Sequence, residues 1–229
     1  MSSLDVLEVI VPTYKSRNLT RAFVKSFEHF SPAGMEVTFH LIENSKDVSY
    51  KELHKIGEDN KTWYHKKFYE PINSGDMEFV NVYRNFVREI VTPLMNGDDF
   101  IFQRVPTFRV HAPGNVAVGG WHRDIDYNHS EHEINFFVPF TVAFGTNTMW
   151  VESEPNKKDF SPFEADYGDA YMWNGANLLH GNKPNTTGQT RVSVDFRVMK
   201  RKHYNENESK QSISRGTKFI IGEYYDTFN

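Results

Sequence analysis

The sequence predicts a mainly β fold with helical additions: a helical N-terminal portion packed on a C-terminal β-core of sandwich, jelly-roll or barrel type. Three observations carry this. From about residue 101 the chain breaks into short runs rich in aromatic and β-branched residues, punctuated by Gly, Pro and Asn. Before that point apolar residues recur at helical spacing. The 229 residues, 38% hydrophobic and without cysteine, can bury a real core as one domain with no covalent staples.

Taken in order, residues 7–14 (LEVIVPTY) read as a buried strand. Residues 18–30 place Phe23, Phe27 and Phe30 on one helical face, with Asn18 as the cap. Residues 36–43 (EVTFHLIE) alternate as a second strand. In 76–95 a helix sets Phe79, Val82, Tyr83, Phe86 and Ile90 on one face and stops near Pro93. Strands are then expected at 101–111, 116–124, 134–144, 148–152, 169–174, 177–180 and 190–199. A single domain over 1–229 follows, with an α/β support region (1–100), the β-core (101–199) and a C-terminal extension (200–229). The aromatic end FIIGEYYDTFN either folds back over the core or supplies a homodimer contact.

Composition narrows function. With no cysteine there is no disulfide framework, no thiolate metal site and no Cys nucleophile. Any metal must be held by His, Asp or Glu, which suits iron, manganese or zinc. The net charge of −4, without a basic block, argues against nucleic acid as the partner. The N-terminal MSSLDVLEVIVPTYKS does not read as a signal peptide, and no run reaches the ~20 apolar residues of a membrane helix. The expectation is a cytoplasmic protein acting on a small molecule, with no membrane partner.

Two strands carry polar faces. In TRVSVDFRVM, Arg191, Ser193, Asp195 and Arg197 alternate with Val192, Val194, Phe196 and Val198. In IFQRVPTFRVH, Gln103, Arg109 and His111 lie opposite Phe102, Phe108 and Val110. Such alternation suits first a strand with one solvated face, and it also permits a lumen that binds a charged ligand. In the second case Gln103, Arg109 and His111 touch co-substrate or substrate. Glu133 with Asn135 on the third strand, and Trp150 with Glu152 on the next, also point inward. The structural alternative is a set of buried ion pairs, such as Arg109 with Glu133 or Arg197 with Asp195. Trp121, Trp150 and Trp173 suit plain core packing better than ring stacking on a ligand.

The densest chemistry is GGWHRDIDYNHSEHE at 119–133, with three histidines and four carboxylates. His122 and Asp124, two apart on an extended chain, share a face and can bind one ion. Asp126 has the same parity but falls where the strand should end. His129 and His132 are spaced H-S-E-H, which is no zincin helix, and read as surface or rim residues. Downstream, His180 closes LLH, and Arg191 follows eleven residues later in an R-x-S triplet with Ser193. Two His and one carboxylate form the facial triad of non-haem iron oxygenases. An arginine on a nearby strand can grip a distal carboxylate with two prongs.

With QRVPTFRVHAPGN, EINFFVPFT, TNTMWVESE, GDAYMWNGANLLHGN and TRVSVDFRV, these motifs resemble the Fe(II)/2-oxoglutarate-dependent dioxygenases, on the phytanoyl-CoA dioxygenase-like branch. They are most similar to the StrG-like proteins of aminoglycoside biosynthesis. The resemblance implies a double-stranded β-helix (jelly-roll, cupin-like) core. It implies His122, Asp124 and His180 as Fe(II) ligands, and Arg191 with Ser193 as the grip on 2-oxoglutarate. Gln103 and Asn135 are further co-substrate contacts. Arg109, His111, Glu133, Trp150 and Glu152 are substrate candidates. The implied reaction uses O₂ and 2-oxoglutarate, releases succinate and CO₂, and hydroxylates a small polar metabolite. An Asp at the carboxylate position disfavours halogenation, since the family's radical halogenases carry Gly or Ala there.

Two rivals remain in the sequence. VIVPTY followed by a helix and a strand resembles the opening of family-2-type glycosyltransferases, with Asp98 and Asp99 as its acidic motif. A non-catalytic cupin-like binder is the other, although it has no need of R-x-S placed beyond a histidine.

Overall fold

The computed structural model describes residues 6–13, 36–43, 63–117, 120–207, 210–213 and 216–228. β1 (Val6–Thr13) and β2 (Glu36–Glu43) pair in parallel. The helix expected at 18–30 lies outside the described residues.

Among the described residues, α1 (Trp63–Asn73) and α2 (Glu78–Phe86) precede the β-core. Tyr64, His65, Phe68 and Tyr69 stand at helical spacing on one side of α1, and Pro71 near its end interrupts the pattern that would have marked the helix. After α2 the helix widens into a π-turn over Val87–Val91, where the Thr92 amide reaches back to the Val87 carbonyl, before a last turn at Thr92–Leu94. This shift of phase corrects the expected face. Val80, Tyr83, Val87, Val91 and Met95 are buried, while Ile90 is 47% exposed.

The core consists of two antiparallel sheets. The larger has the order β11 (Tyr225–Asp226), β3 (Phe100–Gln103), β10 (Arg191–Lys200), β5 (Ile134–Pro139), β8 (Tyr171–Trp173), with β4 (Thr107–His111) also paired to β10. The smaller has the order β7 (Ser161–Pro162), β6 (Met149–Val151), β9 (His180–Asn182). The segment around His122 joins the smaller sheet through a bridge to His180. From β4 onward the chain crosses repeatedly between sheets: larger, smaller at His122, larger at β5, smaller at β6 and β7, larger at β8, smaller at β9, larger at β10. That alternation is a double-stranded β-helix. Phe137, Met149, Phe163 and Tyr171 fill the space between the sheets.

The expected strand 101–111 is in fact two, β3 and β4, separated at Arg104–Pro106 and paired with different ends of β10. The expected 177–180 strand is displaced to His180–Asn182, because Asn174 takes the preceding residues into a turn. The outer face of the larger sheet carries Phe108, Val110, Val192, Val194, Phe136, Phe196 and Val198, packed under Phe68, Phe79, Tyr83, Val87 and Val91. Phe136 and Phe196 stack at 5.0 Å. The polar face of β10 therefore points inward and is dry, with Arg191 3%, Ser193 0% and Arg197 9% exposed. The alternation is that of a lumen and not of a wet face.

The C-terminal segment folds back over this core. β11 pairs with β3, Arg84 on α2 forms an ion pair with Asp226, and Phe219 and Tyr225 pack on Ile101 and Met199. Among the described residues no helix is long and apolar enough to cross a membrane.

Candidate metal centre

His122 and His180 are directly opposed across an antiparallel bridge, each amide donating to the other's carbonyl at 2.9 Å. This sets their rings 4.4 Å apart. Arg123 is extended (φ −107°, ψ 148°), so Asp124 returns to the side of His122 before the chain tightens into a 3-10 turn, Asp124–Tyr127. The turn is tied to the loop before β9 by the Asp124 amide on the Gly175 carbonyl at 3.0 Å. One ligand atom from each of His122, Asp124 and His180 lies within 4.8 Å of the others.

The hydrogen bonds behind these groups prepare them for a cation. Nδ1 of His122 donates to the Gly120 carbonyl at 2.7 Å, and Nδ1 of His180 to the Leu178 carbonyl at 2.9 Å. A carbonyl oxygen only accepts, so the proton of each neutral ring sits on Nδ1 and the Nε2 lone pair is free. Both Nε2 atoms face Oδ1 of Asp124, at 3.7 and 3.8 Å. The other carboxylate oxygen, Oδ2, accepts from Asn135 Nδ2 at 2.7 Å and Arg197 Nε at 2.8 Å. Two imidazole nitrogens and one carboxylate oxygen, each held from behind, fit a borderline divalent ion such as iron.

Electrostatics agree. Burial holds the His180 imidazole down to about 4 despite the attraction of Asp124, so it is neutral at pH 7. Burial by itself would raise the Asp124 carboxyl, but the Arg197 guanidinium beside it holds it well below the ordinary range. His111 is likewise held down to about 4, by burial and then by Arg191.

These shifts predict an acid-sensitive metal-free protein. The unfolded histidines titrate near 6.5, and folded His111 and His180 only near 4. Between those values the unfolded state binds more protons, so stability is full above pH ~6.5 and falls on acidification. Each imidazole contributes a loss of up to ~3 kcal/mol once pH reaches the folded value. Urea midpoints of the metal-free protein at pH 7.5 and 5 check this, and equal midpoints would contradict it.

The other expected site residues divide. Arg191 donates Nε to the Asn147 carbonyl at 3.0 Å and Nη1 to Ser193 Oγ at 2.5 Å, with its guanidinium 5.6 Å from the Phe137 ring. Both residues lie in the lumen that holds the triad. Asn135, expected at the co-substrate, instead holds Asp124. Gln103 is engaged behind it: its amide donates to the Val105 carbonyl and Thr107 Oγ1, and its carbonyl accepts from Tyr224 and Arg197. Arg109 faces the lumen but pairs with Asp195 at 3.0 Å, and not with Glu133. His111 is fully buried between the carbonyls of Asn147 and Asn115.

Glu133, expected as a substrate contact, is occupied by other side chains. It is 1% exposed and bound by His129 Nδ1 at 2.8 Å and by the Tyr225 hydroxyl. Trp150 faces opposite to the expected inward side. Met149 is packed between the sheets, which turns Trp150 to the outer face, where Nε1 donates to Gly145 and Lys183 lies over the ring. Glu152 accepts from the amides of Leu179 and Lys158, which braces the loop that leads into His180. His129, expected at the surface, is packed against Phe219 and Tyr224, whereas His132 is exposed and stacks on His203. Asp126 accepts from the Arg123 amide at 2.9 Å, capping the turn.

Two supports escaped the sequence reading. Arg123 ties the ligand-bearing turn to the Asn177 carbonyl at 3.1 Å and to Asn156 at 2.6 Å. Gly175 leaves room for Asn135, since a Cβ there would lie 2.5 Å from Nδ2. Gly175→Ala is expected to cost ~1–3 kcal/mol of stability by overpacking and to push Asn135 off Asp124. Melting and metal titration of the variant together check this, and wild-type values in both would refute it.

No protein-family model matches the sequence. The chain is 43% identical over 169 residues to the streptomycin biosynthesis protein StrG of Streptomyces griseus, covering 74% of this chain and 78% of that protein. Among solved structures, a non-heme monooxygenase described as a ThoJ–Ni complex matches with TM-score 0.40 at 14% identity, over 80% of this chain and 66% of its own. AviO1 from Streptomyces viridochromogenes Tue57 matches with TM-score 0.37 at 18% identity, over 50% of this chain and 57% of its own. The chain thus spans only part of each solved relative. Likenesses at this level carry no weight in the fold assignment, which rests on the strand order.

Proposed function

We propose a function for a chain that belongs to the StrG family: it is a non-haem Fe(II) oxygenase that takes 2-oxoglutarate as co-substrate and hydroxylates a small polar metabolite. The observation that carries this is the pair of tautomer-locked histidines meeting a single free oxygen of Asp124. Arg191 and Ser193 lie in the same lumen.

His122, Asp124 and His180 would hold the iron, leaving coordination positions for co-substrate and O₂. Bound there, iron would supply the activation of O₂ that oxidative decarboxylation and C–H hydroxylation require. The chain's own part is placement. Arg191, buried beside Ser193, presents a planar guanidinium suited to the distal carboxylate of 2-oxoglutarate. Trp173 stands edge-on to His180 at 4.8 Å and keeps that ligand dry. Arg109 and Asp195, one-quarter and one-fifth exposed, are the charged groups of the lumen a polar substrate would meet.

The glycosyltransferase reading finds less support. β1 and β2 are parallel, as a nucleotide-sugar fold requires, but Asp98 of its acidic pair is engaged by Lys200 at 2.5 Å. The deciding assay is O₂-dependent conversion of 2-oxoglutarate to succinate by the Fe(II)-loaded protein, which proceeds slowly without substrate. Iron bound with no such turnover would favour the cupin-like binder.

A further inference from the structure

We propose that the C-terminal segment is a working part of the metal centre: through Tyr224 it fixes Arg197, which together with Asn135 fixes Asp124 so that only Oδ1 faces an ion. The inference rests on the reading of His122, Asp124 and His180 as metal ligands and names positioning residues for that site.

A buried carboxylate with two free oxygens can bind an ion through either or both. Here Oδ2 carries two charge-assisted or amide donors at 2.7 and 2.8 Å, which directs Oδ1 alone between the histidines. Arg197 is held on every side. Its Nε lies 3.8 Å from Glu133, and its Nη1 is 3.9 Å from Asp195, 3.5 Å from Gln103 Oε1 and 3.4 Å from the Tyr224 hydroxyl. Tyr224 in turn donates to Gln103 Oε1 at 3.1 Å.

Tyr224 is not a loose tail residue. Its carbonyl accepts from the Arg104 amide at 2.8 Å, and the next residue, Tyr225, pairs with β3 and reaches Glu133. The segment Tyr224–Asp226 thus closes a network whose inner end is the ligand carboxylate. Arg197 also balances the charge of Asp124 when no ion is bound, which keeps the ligand in place before the ion arrives.

The test titrates full-length wild type, Arg197→Lys and Tyr224→Phe with Co(II), following the visible d–d bands. Arg197→Lys keeps a cation but loses the guanidinium geometry, and the expected result is a 10–100-fold weaker Co(II) affinity with altered bands. Tyr224→Phe keeps the ring contacts and removes one hydroxyl, and about a 3-fold weaker affinity with a smaller band shift is expected. Metal-free melting curves identify a variant that fails to fold. Should Arg197→Lys fail, Tyr224→Phe decides. Wild-type affinity and spectrum in the folded variants would overturn the proposal. No Co(II) binding by wild type would instead overturn the metal reading beneath it.

Discussion

Asp124→Ala is expected to abolish iron retention while leaving a folded protein. The substitution removes the one anionic ligand and leaves two neutral imidazoles, so affinity should fall beyond the ~100-fold that losing a mere hydrogen-bond partner of a ligand costs. Breaking a buried ion pair usually costs ~3–5 kcal/mol, because a charge is stranded. Here Arg197 keeps Glu133 at 3.8 Å and Asp195 at 3.9 Å, which reduces that loss. Iron content after desalting, read beside a melting curve, separates the two effects. A variant that still holds one iron per chain would mean that Asp124 is no ligand.

Arg191→Ala should do the converse: iron is retained and the need for 2-oxoglutarate rises. Arg191 donates to Ser193 Oγ and to the Asn147 carbonyl, whereas Oδ2 of the ligand Asp124 is held by Asn135 and Arg197. Truncating one partner of a buried charge pair costs ~2–5 kcal/mol, which corresponds to a shift of at least ~30-fold in half-saturating 2-oxoglutarate. Succinate formation at graded co-substrate measures it. An unchanged half-saturation would remove Arg191 from the co-substrate site.

How much of this was legible in the sequence depends on the kind of signal. Period-two alternation in β10 placed Arg191, Ser193, Asp195 and Arg197 on one face correctly, because a long central strand with one apolar face leaves no choice of register. The H-x-D motif gave both of its residues the same side because the single residue between them, Arg123, is extended, although the chain turns immediately afterwards. Parity failed at β6, three residues long, where Met149 and Trp150 are both large and apolar and nothing local decides which enters the lumen. The π-turn at Val87–Val91 could not be read from apolar spacing, which assumes a regular helix.

Pairings were less legible than faces. Arg109, Asp195, Arg197 and Glu133 were recognisable as buried charges, but their partners depend on register and on a C-terminal segment far away in the chain. Arg197 was seen only as a companion of Asp195, since no local pattern ties it to Asp124. Tyr224 and Gly175 act through contacts between distant segments and have no motif at all.

The central claim is that His122, Asp124 and His180 hold Fe(II) and leave room for a chelating 2-oxo acid anchored by Arg191. The most direct measurement is anaerobic: load the metal-free protein with Fe(II), titrate 2-oxoglutarate, and record the visible spectrum of wild type and His180→Ala. A charge-transfer band that saturates in wild type and is absent from His180→Ala is the predicted result. Iron bound without any band, or the same band in both proteins, would contradict the account.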